Sequence, residues 1–254
     1  TYKRVKSVCL PMYCYFRGYD ASKLLRNSLY VSELREMCQS IDGVVAVSNY
    51  LLDNLASVGI SCRQQFVIPS GVDTLAFAPG DKRPGSFIAV GRFIEKKAPQ
   101  ITIRAFARSL VQHPSITLDM VGDGPELERC RDLCLQLGVG NRIRLHGALD
   151  HATVQQMLKT SYYFLQHSIT ASDGDSEGMP SAIQEAMACG CVVISTHHAG
   201  IPEHVQQNVT GVLVDENDEE QFGSEIERLL ANPGLGETIS QNARAYAEQT
   251  LEYR

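Results

Sequence analysis

From Ser86 onward, short apolar runs rich in β-branched residues alternate with longer stretches of helical periodicity. That alternation constrains the fold more than any other feature. The runs are residues 86–91, 116–122, 142–147, 162–166, 191–195 and 210–214. Their apolar character is nearly continuous, the pattern of parallel strands buried on both faces. Helical spacing fills residues 99–112, 125–137 and 217–231. Ile103, Phe106 and Leu110 share one face of the first, Leu127, Cys130 and Cys134 of the second, and Phe222, Ile226 and Leu229 of the third. Pro125 suits a first helical position. Six strands with intervening helices predict an α/β fold, a doubly wound parallel sheet of Rossmann-like type.

Residues 1–80 read differently. Residues 5–16 and 43–48 are strand candidates, and 22–40 and 50–58 are helix candidates. Turn signals follow at residues 69–71 and 78–80. Four elements are few for a complete domain. The expectation is a partial amino-terminal α/β domain over 1–70, the remnant of a larger one, followed by a second domain over 71–254.

Hydrophobic residues make up 44% of the 254 and charged residues 20%, a globular mix that excludes intrinsic disorder. No apolar run approaches the ~18 residues of a membrane span, and no signal-peptide pattern opens the chain. A cytoplasmic location is expected, with peripheral contact at the inner membrane face. Net charge is −6, which argues against nucleic acid as a partner. The first 35 residues nevertheless carry seven Lys and Arg against two acids. Such a basic segment suits an anionic membrane surface or a lipid-phosphate acceptor, or is simply solvated. The eight cysteines lack zinc-type clustering and read as reduced, mostly buried thiols.

The most informative stretch is residues 172–190. A polar, glycine-containing loop follows a strand and runs into a helix with Pro180 near its start. This is the carboxyl-end crevice where open α/β sheets bind ligands. The amides of Met179, Ser181 and Ala182 would face an anion such as phosphate there; Pro180 has no N–H to give. Glu177 closes the loop and Glu185 lies about one turn into the helix. Each carboxylate accepts two hydroxyl hydrogen bonds, which suits a sugar or a ribose diol. The alternative is that Glu177 caps the helix and Glu185 is solvated. Gly91-Arg92 and Lys97 follow the first strand of the second domain. Arg92 offers a planar fork and Lys97 a point charge, a pair able to bracket a diphosphate. The alternative there is a basic loop paired with Glu95.

Rival sites fail on spacing. Asp173, Asp175, Glu177 and Gly178 match the start of an EF-hand loop, but position 12 is Gln184 and Pro180 interrupts it. Residues 121–125 open like a dinucleotide fingerprint, but Leu127 stands at the third glycine and no acid lies about twenty residues on. No P-loop, G-x-S-x-G elbow or H-E-x-x-H helix occurs.

Residues 68–73, Gly91-Arg92 with Lys97, residues 121–125, the Glu177–Glu185 pair and Gly200-Ile201-Pro202-Glu203 occur in that order. Together they resemble the family 4 retaining glycosyltransferases, which have the GT-B fold of two facing Rossmann-like domains. Residues 174–180 and 16–20 are most similar to the bacterial exopolysaccharide and colanic-acid branch. The resemblance implies that 71–254 is the carboxy-terminal donor-binding domain and 1–70 part of the acceptor-side domain. It implies a retaining hexosyltransferase that moves a sugar from a nucleotide-diphosphate donor, UDP or GDP type, to a glycan or lipid-linked acceptor in polysaccharide biosynthesis. Catalytic roles then fall to Glu177, Arg92 and Lys97. Gly91, Gly178, Met179, Ser181, Ala182, Glu185 and His146 would bind the donor, with His146 near the base. No metal or other cofactor is implied, because the two cations stabilise the leaving diphosphate.

Two departures stand out. Most of an acceptor domain is absent from the pattern, which leaves room for a separate amino-terminal domain as a partner. The family usually has His where this chain has Arg17, and Arg is no general base near pH 7. A non-catalytic nucleotide-sugar-binding module and a sugar-nucleotide 2-epimerase are the alternatives that share the fold.

Overall fold

The computed structural model describes residues 10–253. Among these residues, nine strands fall into two parallel sheets. In the first part, β1 (Tyr13–Phe16), α1 (Ser28–Ser40), β2 (Gly43–Ala46), α2 (Asn49–Ser57) and β3 (Gln64–Val67) follow in order, and the strands pair β1-β2-β3. Asn27 caps α1 by accepting from Leu29 N–H and Tyr30 N–H. The predicted helix over 22–40 is therefore shorter. Two 3₁₀ turns, Tyr19–Ala21 and Lys23–Arg26, occupy its first part. Of the strand expected over 5–16, residues 5–9 lie outside the described residues. Strand β3 escaped the sequence reading because its Gln64-Gln65 start carries no apolar alternation.

The second part runs β4 (Arg83–Val90), α3 (Pro99–Ser109), β5 (Thr117–Val121), α4 (Leu127–Gln136), β6 (Ile143–Leu145), α5 (His151–Thr160), β7 (Ser161–Leu165), α6 (Ser181–Ala188), β8 (Val192–Thr196), β9 (Val212–Val214), α7 (Glu219–Ala231) and α8 (Pro233–Tyr246). All six predicted strands are present. Their order is β6-β5-β4-β7-β8-β9. The chain starts in the middle at β4, builds outward through β5 and β6, then crosses to β7 and builds the other way. The switch point lies between β4 and β7, where such sheets open a crevice at their carboxyl ends.

Adjacent strand residues feed opposite layers of core. Phe87, Tyr163, Leu165, Val192 and Ile194 pack with Ile103, Phe106, Phe222 and Ile226. Ile88, Phe164, Val193 and Leu213 pack with Ile183 and Met187 on the other face. Burial on both faces is why the strands read as unbroken apolar runs. The second layer continues without a break into Phe16, Val44, Leu51 and Leu55 of the first sheet. Seven cysteines are described, all free and five of them buried; Cys9 lies outside the described residues. Among the described residues no helix is long and apolar enough to cross a membrane.

The basic first segment is largely engaged within the chain where it is described. Lys23 pairs with Asp173 at 2.5 Å, Arg26 donates to the Ser172 carbonyl, and Arg35 donates to the Val58 carbonyl.

Candidate functional site

The switch point carries the loops after β4 and β7. The β4 loop places Arg92 and then a 3₁₀ turn, Glu95–Lys97. The β7 loop runs through residues 168–180 to α6. Together with Arg17 and Ser70 they line an open cleft of about 390 Å³: Arg92, Lys96, Lys97 and Glu177 are its charged wall, and Met179, Pro180 and Ser181 lead into α6.

Glu177 is the centre of the charge arrangement. Its side chain is only 9% exposed, and its Oε1 lies 2.9 Å from Lys97 Nζ. That contact has ion-pair distance without hydrogen-bond alignment, so Oε1 keeps an unused acceptor direction. Lys96 Nζ stands 4.0 Å from Oε2. Burial pushes the Glu177 carboxyl up, but Lys97 and Lys96 outweigh it and hold the group below the ordinary carboxylate range. Glu177 is therefore ionised at neutral pH. It does not cap α6, whose first turn has no side-chain cap. Nor does Glu95 pair with the basic loop. It accepts from Ser172 N–H and Ser172 Oγ, both at 2.8 Å.

Lys96 is the residue the sequence reading missed. It is buried, donates to Asp175 Oδ1 at 2.9 Å and to the Ser176 carbonyl at 3.1 Å, and so clamps the loop one step before Glu177. Its signal was present as the neighbour of Lys97 in the same short turn. The carboxylates that mimic an EF-hand are committed to lysines: Asp173 to Lys23, Asp175 to Lys96, Glu177 to Lys97.

The first sheet closes the loop from above. Tyr50 donates to Ser176 Oγ at 3.2 Å. Gly178 meets the carbonyl of Arg17 so closely that a Cβ there would stand 2.5 Å from it and from Val47 Cγ2. Arg17 itself reaches Ser70 Oγ at 3.3 Å, inside the cleft. Gly200 likewise abuts the Gly178 carbonyl, and Glu203 accepts from Asn49 N–H and Tyr50 N–H at the start of α2. The fingerprint-like Gly122 answers a packing need. At φ 140° its backbone lies against the Gly91 carbonyl with no room for a side chain.

The other sequence candidates sit as follows. Met179 and Ser181 line the cleft, and Ala182 follows on α6. The amides of Met179, Ser181 and Ala182 have no acceptor among the described residues. Gly91 lines a small adjoining void of about 30 Å³ that shares Arg92 and Lys97. Glu185 does not line the cleft. Half-buried a turn along α6 with no hydrogen-bond partner among the described residues, its carboxyl is pushed up by burial, a push that nearby His151 only partly offsets. His146 follows β6, with Nε2 2.6 Å from Asp119 Oδ1. Asp119 also takes a two-pronged contact from Arg144 at 2.7 and 2.8 Å. Arg92, Lys97 and Glu177 are thus brought together, and Glu185 and His146 stand apart.

Residues 76–246 match the family model described as glycosyl transferases group 1. The chain belongs to the group 1 glycosyltransferases. This group 1 glycosyltransferase chain is 34% identical over 217 residues to the putative colanic acid biosynthesis glycosyltransferase WcaL of Salmonella typhimurium, covering 83% of this chain and 53% of that protein. It is 31% identical over 176 residues to the amylovoran biosynthesis glycosyltransferase AmsK of Erwinia amylovora, covering 68% of this chain and 43% of that protein. Its fold matches that of Anabaena Alr3699/HepE, a structure in complex with UDP and glucose, at a TM-score of 0.82 and 20% identity, over 95% of this chain and 68% of that one. The chain spans about half the length of the curated relatives it matches.

Proposed function

We propose that the chain supplies the donor-binding side of a retaining, metal-independent hexosyltransferase of exopolysaccharide biosynthesis. The observation that carries this reading is the convergence of Arg92, Lys97 and Glu177 with the unpaired amides of Met179 and Ser181 on one cleft at the switch point. A nucleotide-diphosphate sugar would lie with its diphosphate between Arg92, Lys97 and those amides. Their positive character offsets the charge that develops on the leaving diphosphate. Glu177, ionised and with a free acceptor direction, would hold hydroxyls of the transferred sugar. Beyond the cleft's own lining, Glu185 one turn along α6 would take the ribose diol and His146 after β6 would lie near the base, the nucleoside extending past the Arg92–Lys97–Glu177 cluster. Attack by the acceptor from the side of the leaving group then gives retention. The WcaL and AmsK relatives, named for colanic acid and amylovoran biosynthesis, support a place in exopolysaccharide biosynthesis, and the acceptor would be a glycan or a lipid-linked one.

Calorimetry with UDP and GDP, beside a transfer assay, tests the reading. Nucleotide binding that needs Arg92 and Lys97 supports it; absence of binding to either nucleotide overturns it. One observation favours a second reading, a module that binds donor without transferring it. Arg17 lines the cleft at the place where the resembling family has His, and its guanidinium cannot accept a proton. Binding without turnover or donor hydrolysis would select that reading.

A further inference from the structure

The turn after β9 lies outside the cleft, yet a chain of hydrogen bonds connects it to Glu177. Glu216 accepts from Thr170 N–H through Oε2 at 2.8 Å, and its Oε1 lies 2.6 Å from His198 Nδ1. His198 Nε2 lies 3.1 Å from the backbone nitrogen of Glu177. His167 grips the same turn, its Nε2 3.0 Å from the Asn217 nitrogen. Thr170, His198 and Glu216 follow β7, β8 and β9, so the contacts tie three strand ends to the one loop that bears Glu177.

The chemistry of this chain is fixed at both ends. A backbone N–H can only donate, so His198 Nε2 must be bare. The ring proton therefore sits on Nδ1 and is donated to Glu216. Glu216 in turn receives a donor at each oxygen, an arrangement that suits its two acceptor oxygens. His198 is 1% exposed, so its ring nitrogens are shielded from water and rely on these two contacts.

We propose that His198, oriented by Glu216, is the positioning residue that sets the aim of Glu177 into the cleft. Holding the Glu177 nitrogen fixes the base of that side chain. Gly178, the next residue, is already pinned against Arg17. With both flanks of its Cα held, the carboxylate keeps its place between Lys97 and an incoming sugar at no cost in reorganisation. The inference rests on the reading that Glu177 contacts the transferred sugar. The tautomer and the hydrogen bond to Glu177 stand independently of it.

The test uses the full chain with histidine and backbone nitrogen-15 labels. NMR should show His198 as the neutral Nδ1–H form and slow hydrogen exchange at the Glu177 amide. His198→Gln places an amide oxygen near the former Nε2 and keeps that exchange slow. His198→Asn mimics only the Nδ1 side and speeds exchange about tenfold or more. Glu216→Gln presents an N–H to one of two donors and should behave as His198→Asn does. With UDP-glucose as the donor probe, His198→Asn should lower kcat about tenfold or more with donor KM little changed, and His198→Gln should recover most of it. Thermal melting of both variants separates this from unfolding, since a merely structural role moves the Gln and Asn variants alike. An Nε2–H tautomer, or equal exchange and equal kcat in the two variants, overturns the proposal. If Glu177→Gln leaves turnover unchanged, the sugar-contact reading fails, while the tautomer and exchange results still decide the positioning.

Discussion

Lys97 Nζ stands 2.9 Å from Glu177 Oε1, joining the loop after β4 to the loop after β7 at the point where the sheet changes direction. Each residue alone is ordinary. On the proposed reading, Lys97 would meet the leaving diphosphate and Glu177 the transferred sugar. Lys97→Ala and Arg92→Ala should each weaken UDP or GDP binding by ~1.5–3 kcal/mol, the range for a charged hydrogen bond. Calorimetry checks this, and unchanged affinity in both variants removes the phosphate clamp.

The two substitutions should part company in stability. Arg92 is exposed and pairs with no carboxylate among the described residues, so its removal should stay within about 0.5 kcal/mol. Lys97→Ala strands the buried Glu177 carboxylate. Breaking a buried pair costs ~3–5 kcal/mol, and Lys96 at 4.0 Å should hold the loss at or below the low end. Urea unfolding of both variants measures the difference.

Acid should unpick the site before the core. The folded-state pKa of Glu177 lies below its ordinary value, and so does that of Asp119. For Asp119, burial pushes up, but the hydrogen bonds from Arg144 and His146 outweigh it. Stability from such groups is fully present above the unfolded carboxylate range. It is lost as pH falls through the depressed folded values, below about pH 4. Asp119→Asn should flatten this acid limb of the stability curve. A limb identical to that of the parent chain would show that Asp119 adds nothing.

Glu185 should act with the opposite sign. Its folded pKa is raised by burial, so its charge costs stability as pH rises through that value. Glu185→Gln should stabilise the unliganded chain at pH 7, because it removes a charge that burial disfavours. The same substitution should weaken nucleoside recognition. Melting curves with and without UDP read both effects, and a destabilised apo variant would contradict the assignment.

Glu203 ties the second part of the chain to the first by accepting from two amides at the start of α2. Glu203→Ala should cost ~0.5–2 kcal/mol, as for loss of a helix cap. Thermal unfolding is the check, with Gln expected to recover part of the loss.

The sequence by itself determined the six parallel strands of the larger sheet, because burial on both faces writes a continuous apolar run. It also marked Arg92, Lys97 and Glu177, because charged groups in the glycine-containing loops that follow strands stand out from such runs. Strand β3 stayed hidden behind Gln64-Gln65, and the start of α1 was blurred by the 3₁₀ turns before Asn27. Only the tertiary structure decided that Lys96 turns inward to Asp175, that Gly178 lies on the Arg17 carbonyl, and that His198 and Glu216 reach the Glu177 amide. Those contacts join residues far apart in the chain, and local periodicity carries no record of which loops the strand order brings face to face.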